Sequence, residues 1–331
     1  VSVIGIDVGG ANLKVVALSN SGVEHKTVHF PLWIEENCRE LGRKLRNISK
    51  EVADSKPDAV CTVMTAEICD TFKSKKEGVS FVEKSVKSAF PDAKHVFVSC
   101  DGSLKSEAKP EVEFAAANWV ASVKLLIELG FCENFLFVDM GTTTTDVIPV
   151  KGRILAAKTD YERLRRGELM YAGMLRTPVF HVLKYSRNLK APLVPEFYAC
   201  VGDALLLTGD ISEEDYICST PDGRGVSREE CMQRLARQFC CDADELGGSV
   251  VDVAFEVRDK LIALVSECLS WQASKWQIEN VFACGKGDFL IKKASRSAGL
   301  KCKLVRDEFG NVSEVFPAYA CAMLAKLKFK L

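Results

Sequence analysis

Metal-binding spacing is missing from this chain: its 14 cysteines include no Cys-x-x-Cys pair, and the closest two are the vicinal Cys240-Cys241. Histidine is scarce, with four residues. His25 and His29 sit four apart on a run that reads as a strand, which separates them by about 13 Å, too far to share an ion. Most cysteines instead close apolar runs: Cys61 and Cys100 at strand ends, Cys284 after Val281-Phe282-Ala283, Cys321 in an Ala-rich helix. A free cysteine in such a place behaves as a small hydrophobe. Reduced structural thiols, and hence a cytoplasmic location, are expected. Long apolar runs are absent too; Phe135–Val138 and Ala204–Leu207 stop far short of the ~18 residues of a membrane span. Val1-Ser2-Val3-Ile4 reads straight into a strand with no basic segment before an apolar one, so no signal peptide is expected. Nor does either sign of charge dominate: 44 Lys and Arg face 45 Asp and Glu, for a net charge of −1. Neither the basic footprint of a nucleic-acid binder nor an acidic tail is present. A small-molecule ligand is the expected partner; the oligomeric state has no signature.

What is present is a globular chain of 331 residues, 47% hydrophobic and 27% charged, a length that suits two α/β lobes rather than one core. Val3–Val8 and Lys14–Ser19 flank the turn Gly9-Gly10-Ala11-Asn12 and read as a hairpin, with Val23–Phe30 as a third strand. Leu41, Leu45, Ile48 and Val52 give Glu35–Ala53 a helical period. Strands are expected at Ala59–Met64 and His95–Ser99, and helices at Gly78–Phe90 and over the whole of Glu111–Leu129. The opening theme then recurs about 130 residues later, the mark of a duplication: strand Phe135–Asp139, a small-residue turn, and strands Asp146–Val150 and Ile154–Lys158. These runs divide the chain into lobes at 1–132 and 133–331. An insertion at about 162–215 is expected to build substrate contacts. Helices at Arg228–Phe239 and Val250–Trp276 follow. A strand Glu279–Cys284 leads into a helix through Ala298, then come a strand at Lys303–Arg306 and a closing helix, Pro317–Leu327, placed to pack back on the first lobe.

Three segments carry chemistry. In Ile4-Gly5-Ile6-Asp7-Val8-Gly9-Gly10-Ala11-Asn12-Leu13-Lys14, glycines let the backbone approach phosphate oxygens, and successive N–H groups form an anion-binding concavity. Gly9, Gly10 and Asn12 are phosphate-binding candidates, and Lys14 adds a point charge. Asp7, at the strand end, is positioned for a hydrated Mg²⁺, which uses few carboxylates. A hairpin turn with no ligand would look the same. The second segment is Asp139-Met140-Gly141-Thr142-Thr143-Thr144-Thr145-Asp146. Four β-branched residues are poor choices for a plain turn, so Gly141, Thr142, Thr143, Thr144 and Thr145 read as a phosphate cradle with Asp139 as a second metal candidate. The third, Cys284-Gly285-Lys286-Gly287, is a strand-to-helix turn whose Gly285 and Gly287 allow a nucleotide or substrate to approach, although such turns also use glycine for steric reasons alone.

In this order the three segments resemble the phosphate and adenosine motifs of the acetate-kinase, sugar-kinase, chaperone and actin superfamily. That resemblance implies two ribonuclease-H-like lobes of the actin-like ATPase fold with a ligand cleft between them. The hydantoinase and oxoprolinase branch is the most similar. More narrowly, Met64-Thr65-Ala66-Glu67, Ala115-Ala116-Ala117-Asn118-Trp119, Gly167 through Pro178, and Glu196-Phe197-Tyr198-Ala199 with Asp203 resemble an archaeal family once described as tetrahydromethanopterin-linked. In methanogens that family is associated with methanofuran biosynthesis: an (aminomethyl-furanyl)methyl diphosphate loses diphosphate to the phenol of γ-glutamyltyramine. The resemblance implies alkyl transfer with Mg²⁺ and no ATP. Under it, Glu67 and Asp70 are candidate bases, with Glu67, Asp7 and Asp139 as the catalytic set. Asn118, Glu168, Tyr171, Arg176, Glu196 and Asp203 are candidate substrate contacts, although a salt bridge or a core position would explain each singly. Two other readings stay open. One is an ATP-dependent kinase or oxoprolinase-like ATPase, in which Gly285 and Gly287 meet adenosine. The other is a non-catalytic nucleotide-gated clamp or activator.

Overall fold

The computed structural model describes residues 2–53 and 55–331; Val1, read above as part of the opening run, and Asp54 lie outside the described residues. The chain divides into two compact units. One comprises residues 1–133, 150–166 and 306–331, the other 134–149 and 167–305. Residues 150–166, assigned by the sequence division to the second lobe, fold with the first unit, and the closing helix packs back on that unit as expected. Apolar patterning reveals that a helix is buried, but not against which sheet.

The first unit is built on a six-stranded sheet. Its strands are β1 (Val3–Val8), β2 (Asn12–Ser19), β3 (Gly22–His29), β4 (Ala59–Met64), β5 (Lys94–Val98) and β6 (Leu104–Lys105), in the order β3-β2-β1-β4-β5-β6. β1 and β2 form an antiparallel hairpin, while β1, β4 and β5 run parallel. β1 and β4 are buried at every position, as strands covered on both faces must be. One cover is α1 (Glu35–Val52) with α2 (Lys75–Ala89). Leu41, Leu45 and Ile48 of α1 enter the core, each contributing roughly 2 kcal/mol by burial. Ser74 caps α2 by accepting from the Glu77 N–H, worth about 1 kcal/mol. On the same unit, the C-terminal helix Phe316–Phe329 packs on β1, β4 and the helix α3 (Asn118–Glu128). Its Ala318, Ala320, Cys321, Ala322 and Ala325 are all buried, and small residues permit that close approach.

The second unit carries a five-stranded sheet. β7 (Asn134–Met140), β8 (Thr145–Lys151) and β9 (Leu169–Met170) precede a short pair, β10 (Tyr185–Ser186) and β11 (Ala191–Pro192), and then β12 (Asn280–Cys284) and β13 (Lys301–Leu304). The sheet order is β13-β12-β7-β8-β9, with β7, β12 and β13 parallel. A hairpin whose first strand continues into two parallel neighbours is thus present in both units, as the sequence duplication implied. The helix Ser249–Trp276 turns a continuous buried stripe, Val250 through Ala273, toward this unit's core.

Three sequence expectations fail locally. Glu111–Leu129 is not one helix: a single 3₁₀ turn, Glu111–Phe114, precedes α3, and Ala116 takes φ 51°. The Glu113 carbonyl accepts from the Cys100 N–H at 2.7 Å and the Ala115 carbonyl from the Cys100 thiol at 3.0 Å, so neither serves a helical ladder. Ile154–Lys158 forms only a bridge between Val150 and Ile154, and residues 160–165 then form a short helix capped by Thr159. The last strand ends at Leu304, with a helix from Val305. The expected insertion at about 162–215 is tied, from Gly167 on, into the second unit. β9 extends the sheet at β8, and the helix Val201–Leu207 is buried at every residue.

Candidate functional site

The two hairpins make the same turn. The Gly9 N–H donates to the Asn12 carbonyl at 3.0 Å, and the Gly141 N–H to the Thr144 carbonyl at 2.9 Å. In the first hairpin this register sets Lys14 opposite Asp7, and the Lys14 ammonium lies 3.4 Å from the buried Asp7 carboxylate. In the second, the same turn sets Asp146 opposite Asp139, both buried. Mg²⁺ keeps most of its waters and takes one or two carboxylates. The donor set therefore fits at the second hairpin, where two carboxylates stand on adjoining strands. At the first, the single carboxylate of Asp7 is paired with the Lys14 ammonium. Among the described residues, no group of three or more His, Cys, Asp or Glu is placed to hold a metal.

One of the four threonines has a different task. Thr145 is fully buried, and its hydroxyl donates to the Ala172 carbonyl at 2.6 Å. The hydroxyls left for an anion are those of Thr142, Thr143 and Thr144, all half-buried. Gly285 takes φ +82°, and a Cβ on it would collide with the Asp139 carboxylate. A Cβ on Gly287 would strike the Met140 side chain, and the Gly287 N–H donates to the Met140 carbonyl. These glycines are required by close packing against the end of β7.

Glu67 lies in the first unit on the single 3₁₀ turn after β4, and is 1% exposed. Neither carboxylate oxygen has a hydrogen-bond partner. Burial first, and the Asp160 carboxylate second, push its pKa up to about 7. The Lys75 ammonium and the nearby N–H groups of Glu67 itself and Ala116 oppose the shift. Asp160 accepts from Arg163 at 3.2 Å, and the buried Arg163 guanidinium stacks 4.7 Å from the Trp119 ring. The Trp119 indole N–H is likewise buried without a hydrogen-bond partner. Asn118, half-buried, opens α3 beside Trp119, and Asp70 is exposed. Arg163 and Asp160 escaped the sequence reading, because nothing local shows that residues 150–166 fold with the first unit.

The remaining candidates separate within the second unit. Asp203 is fully buried. One of its oxygens accepts from Arg234 Nε and Nη2 at 2.9 and 2.8 Å and from the Tyr216 hydroxyl at 3.2 Å, while the other accepts from the Cys200 N–H. It caps the helix Val201–Leu207, an architectural task rather than a substrate contact. Glu168 is fully buried, and its backbone carbonyl accepts from the Val147 N–H. Tyr171 is 54% exposed. Glu196 is exposed and uses its carbonyl to accept from Gln238. Arg176 joins the turn of the second hairpin: its N–H donates to the Thr142 carbonyl at 2.8 Å, and its guanidinium reaches the Thr143 hydroxyl at 3.5 Å.

Comparison with known proteins places this geometry. The acetone carboxylase nucleotide-free structure aligns with a TM-score of 0.60 at 11% identity, over 97% of this chain and 70% of that one. A ROK family glucokinase from Streptomyces griseus in complex with glucose and AMPPNP aligns at 0.51 and 12% identity, over 99% and 100%. These likenesses establish the actin-like, sugar-kinase fold. The hydantoinase/oxoprolinase family model matches residues 58–328. The (4-{4-[2-(gamma-L-glutamylamino)ethyl]phenoxymethyl}furan-2-yl)methanamine synthase of Methanocaldococcus jannaschii is 35% identical over 98% of this chain and 97% of its own length. The chain therefore belongs to the hydantoinase/oxoprolinase family and, within it, to the group of these furan-methanamine synthases.

Proposed function

We propose that this protein is a transferase of methanofuran biosynthesis that joins an (aminomethyl-furanyl)methyl diphosphate to γ-glutamyltyramine, forming an ether and releasing diphosphate. The observation that carries this reading is the full-length match to a synthase whose name describes that phenoxymethyl-furan product. The geometry of each unit supports it. Glu67, with a pKa near 7, is poised to accept a proton at neutral pH, where a general base works best. It would take the phenol proton as the phenol oxygen bonds to the furan-bearing methylene carbon. The carbon–oxygen bond to the diphosphate breaks, and its electron pair leaves with the diphosphate.

Negative charge then collects on the leaving group, where fixed N–H and hydroxyl donors stabilise it without reorganisation. Thr142, Thr143 and Thr144 supply such hydroxyls. Mg²⁺ held by Asp139 and Asp146 would offset the same charge. In this reading the reaction uses no adenosine. The test is incubation of the protein with Mg²⁺, the furan diphosphate and γ-glutamyltyramine without ATP, followed by mass spectrometry. Ether and diphosphate in equal amounts are expected; no ether, or ether only with ATP, would contradict the assignment. The family match also keeps an ATP-dependent reading alive, and ATP hydrolysis coupled to ether formation would favour it.

A further inference from the structure

The two hairpins differ in where a cation comes from. In the first, Lys14 stands within the hairpin itself. In the second, that position is Asp146, and a cation at the turn comes from Arg176, thirty-odd residues later in the chain.

The segment bearing Arg176 is clamped to the turn along its length. The Thr145 hydroxyl donates to the Ala172 carbonyl, the Met174 N–H to the Gly141 carbonyl at 3.0 Å, and the Leu175 and Arg176 N–H groups both to the Thr142 carbonyl. Gly173 lies so close that a Cβ there would stand 2.6 Å from the Thr143 backbone. On its other side the segment is tied to the buried helix Val201–Leu207. The Gly202 N–H donates to the Leu175 carbonyl, and the Val201 N–H to the Thr177 carbonyl. That helix is held in turn by the buried Asp203–Arg234 pair. The backbone of Arg176 is thus fixed from two sides while its side chain is exposed. The guanidinium meets the Thr143 hydroxyl, which lies 3.4 Å from that of Thr142. A planar fork of N–H donors beside two hydroxyls suits the oxygens of a phosphate chain, for which arginine is the bidentate partner.

We infer that Arg176 is a diphosphate ligand of the second hairpin, binding the phosphate chain together with the hydroxyls of Thr142 and Thr143. The inference deepens the proposed function, resting on it only for the identity of the molecule that carries the diphosphate. A substrate diphosphate ester and a nucleoside diphosphate present the same chemistry.

The test is calorimetric titration of the full-length protein with inorganic pyrophosphate and Mg²⁺. Arg176→Met is expected to weaken binding about 10-fold or more, and Arg176→Lys, which keeps charge but loses the fork, by about 3-fold. Arg176 is exposed, so both variants should match the wild-type circular dichroism; if Arg176→Met misfolds, Arg176→Lys carries the test. No pyrophosphate binding by the wild type, or unchanged affinity in a folded variant, would overturn the inference. A parallel titration with ADP separates the two sources. Pyrophosphate binding that depends on Arg176, with no ADP binding, supports both the inference and the proposed reaction. ADP binding lost in Arg176→Met would keep Arg176 as a diphosphate ligand and overturn the ATP-free reaction instead.

Discussion

The hairpins of the two units share a turn and differ in charge. Gly9 to Asn12 and Gly141 to Thr144 close with the same hydrogen bond. Yet the first faces Asp7 with Lys14, while the second sets Asp139 opposite Asp146 and brings in Arg176 from outside the hairpin. The backbone shape of the turn is therefore shared, while the residue opposite the strand-end aspartate differs. The buried acids of the two units differ in the same instructive way. Asp203 is closed by a bidentate arginine, a tyrosine and a backbone N–H. Glu67 has no hydrogen-bond partner for either oxygen. A saturated buried acid holds a fold together; an unsaturated one keeps its proton affinity available for chemistry.

The largest expected effect breaks the contrast between the acids. Glu67→Gln should lower kcat for ether formation by about 1000-fold, within the usual range for a general base. Its stability effect has the opposite sign. The folded pKa of about 7 lies above the ordinary 4.5, so the wild-type group's contribution is intact below pH 4.5 and is lost as pH rises through 7. Glu67→Gln should therefore be more stable than wild type by about 3 kcal/mol at pH 8 and nearly equal to it at pH 4, as read by urea unfolding. Wild-type kcat/KM should rise through about pH 7 as Glu67 ionises. Arg234→Met removes the partner of the saturated acid and should cost about 3–5 kcal/mol in the same unfolding assay. Equal signs for the two variants at pH 8 would erase the distinction between the acids.

Smaller effects sharpen the contrast between the hairpins. Gly285→Ala forces a Cβ into the Asp139 carboxylate at a positive φ. It should lower stability by about 2 kcal/mol and weaken Mg²⁺-dependent pyrophosphate binding at the same time, which parallel thermal melts and calorimetry would read. Asp146→Lys copies the charge pair of the first hairpin into the second. It should remove the Mg²⁺ dependence of pyrophosphate binding, as calorimetry with and without the metal would read.

Much of this was legible in the sequence. Asp-x-Gly turns between β-rich runs gave both hairpins, and their spacing gave the duplication. Leu41, Leu45 and Ile48 gave α1 by period alone. What escaped depended on contacts far apart in the chain. Arg163 and Asp160 meet the neighbourhood of Glu67 and Trp119 only because residues 150–166 fold with the first unit. The helix expected over Glu111–Leu129 is broken by bonds to Cys100, which no local propensity encodes. Asp203 was a candidate substrate contact by resemblance, with a salt bridge as the alternative; the salt bridge is what forms, to an Arg234 that stands 31 positions away. Thr145 looked equivalent to its three neighbours, yet its hydroxyl donates to the carbonyl of Ala172, a residue 27 positions away.

The claim that the second hairpin, not the first, holds cation and diphosphate is open to a direct view. Crystals of the full-length protein grown with Mn²⁺ in place of Mg²⁺ and with pyrophosphate would locate the cation by anomalous scattering. The account predicts a peak beside Asp139 and Asp146, with pyrophosphate on Thr142, Thr143 and Arg176 and the Asp7–Lys14 pair intact. A cation on Asp7 with Lys14 displaced, and none at the second hairpin, would contradict it.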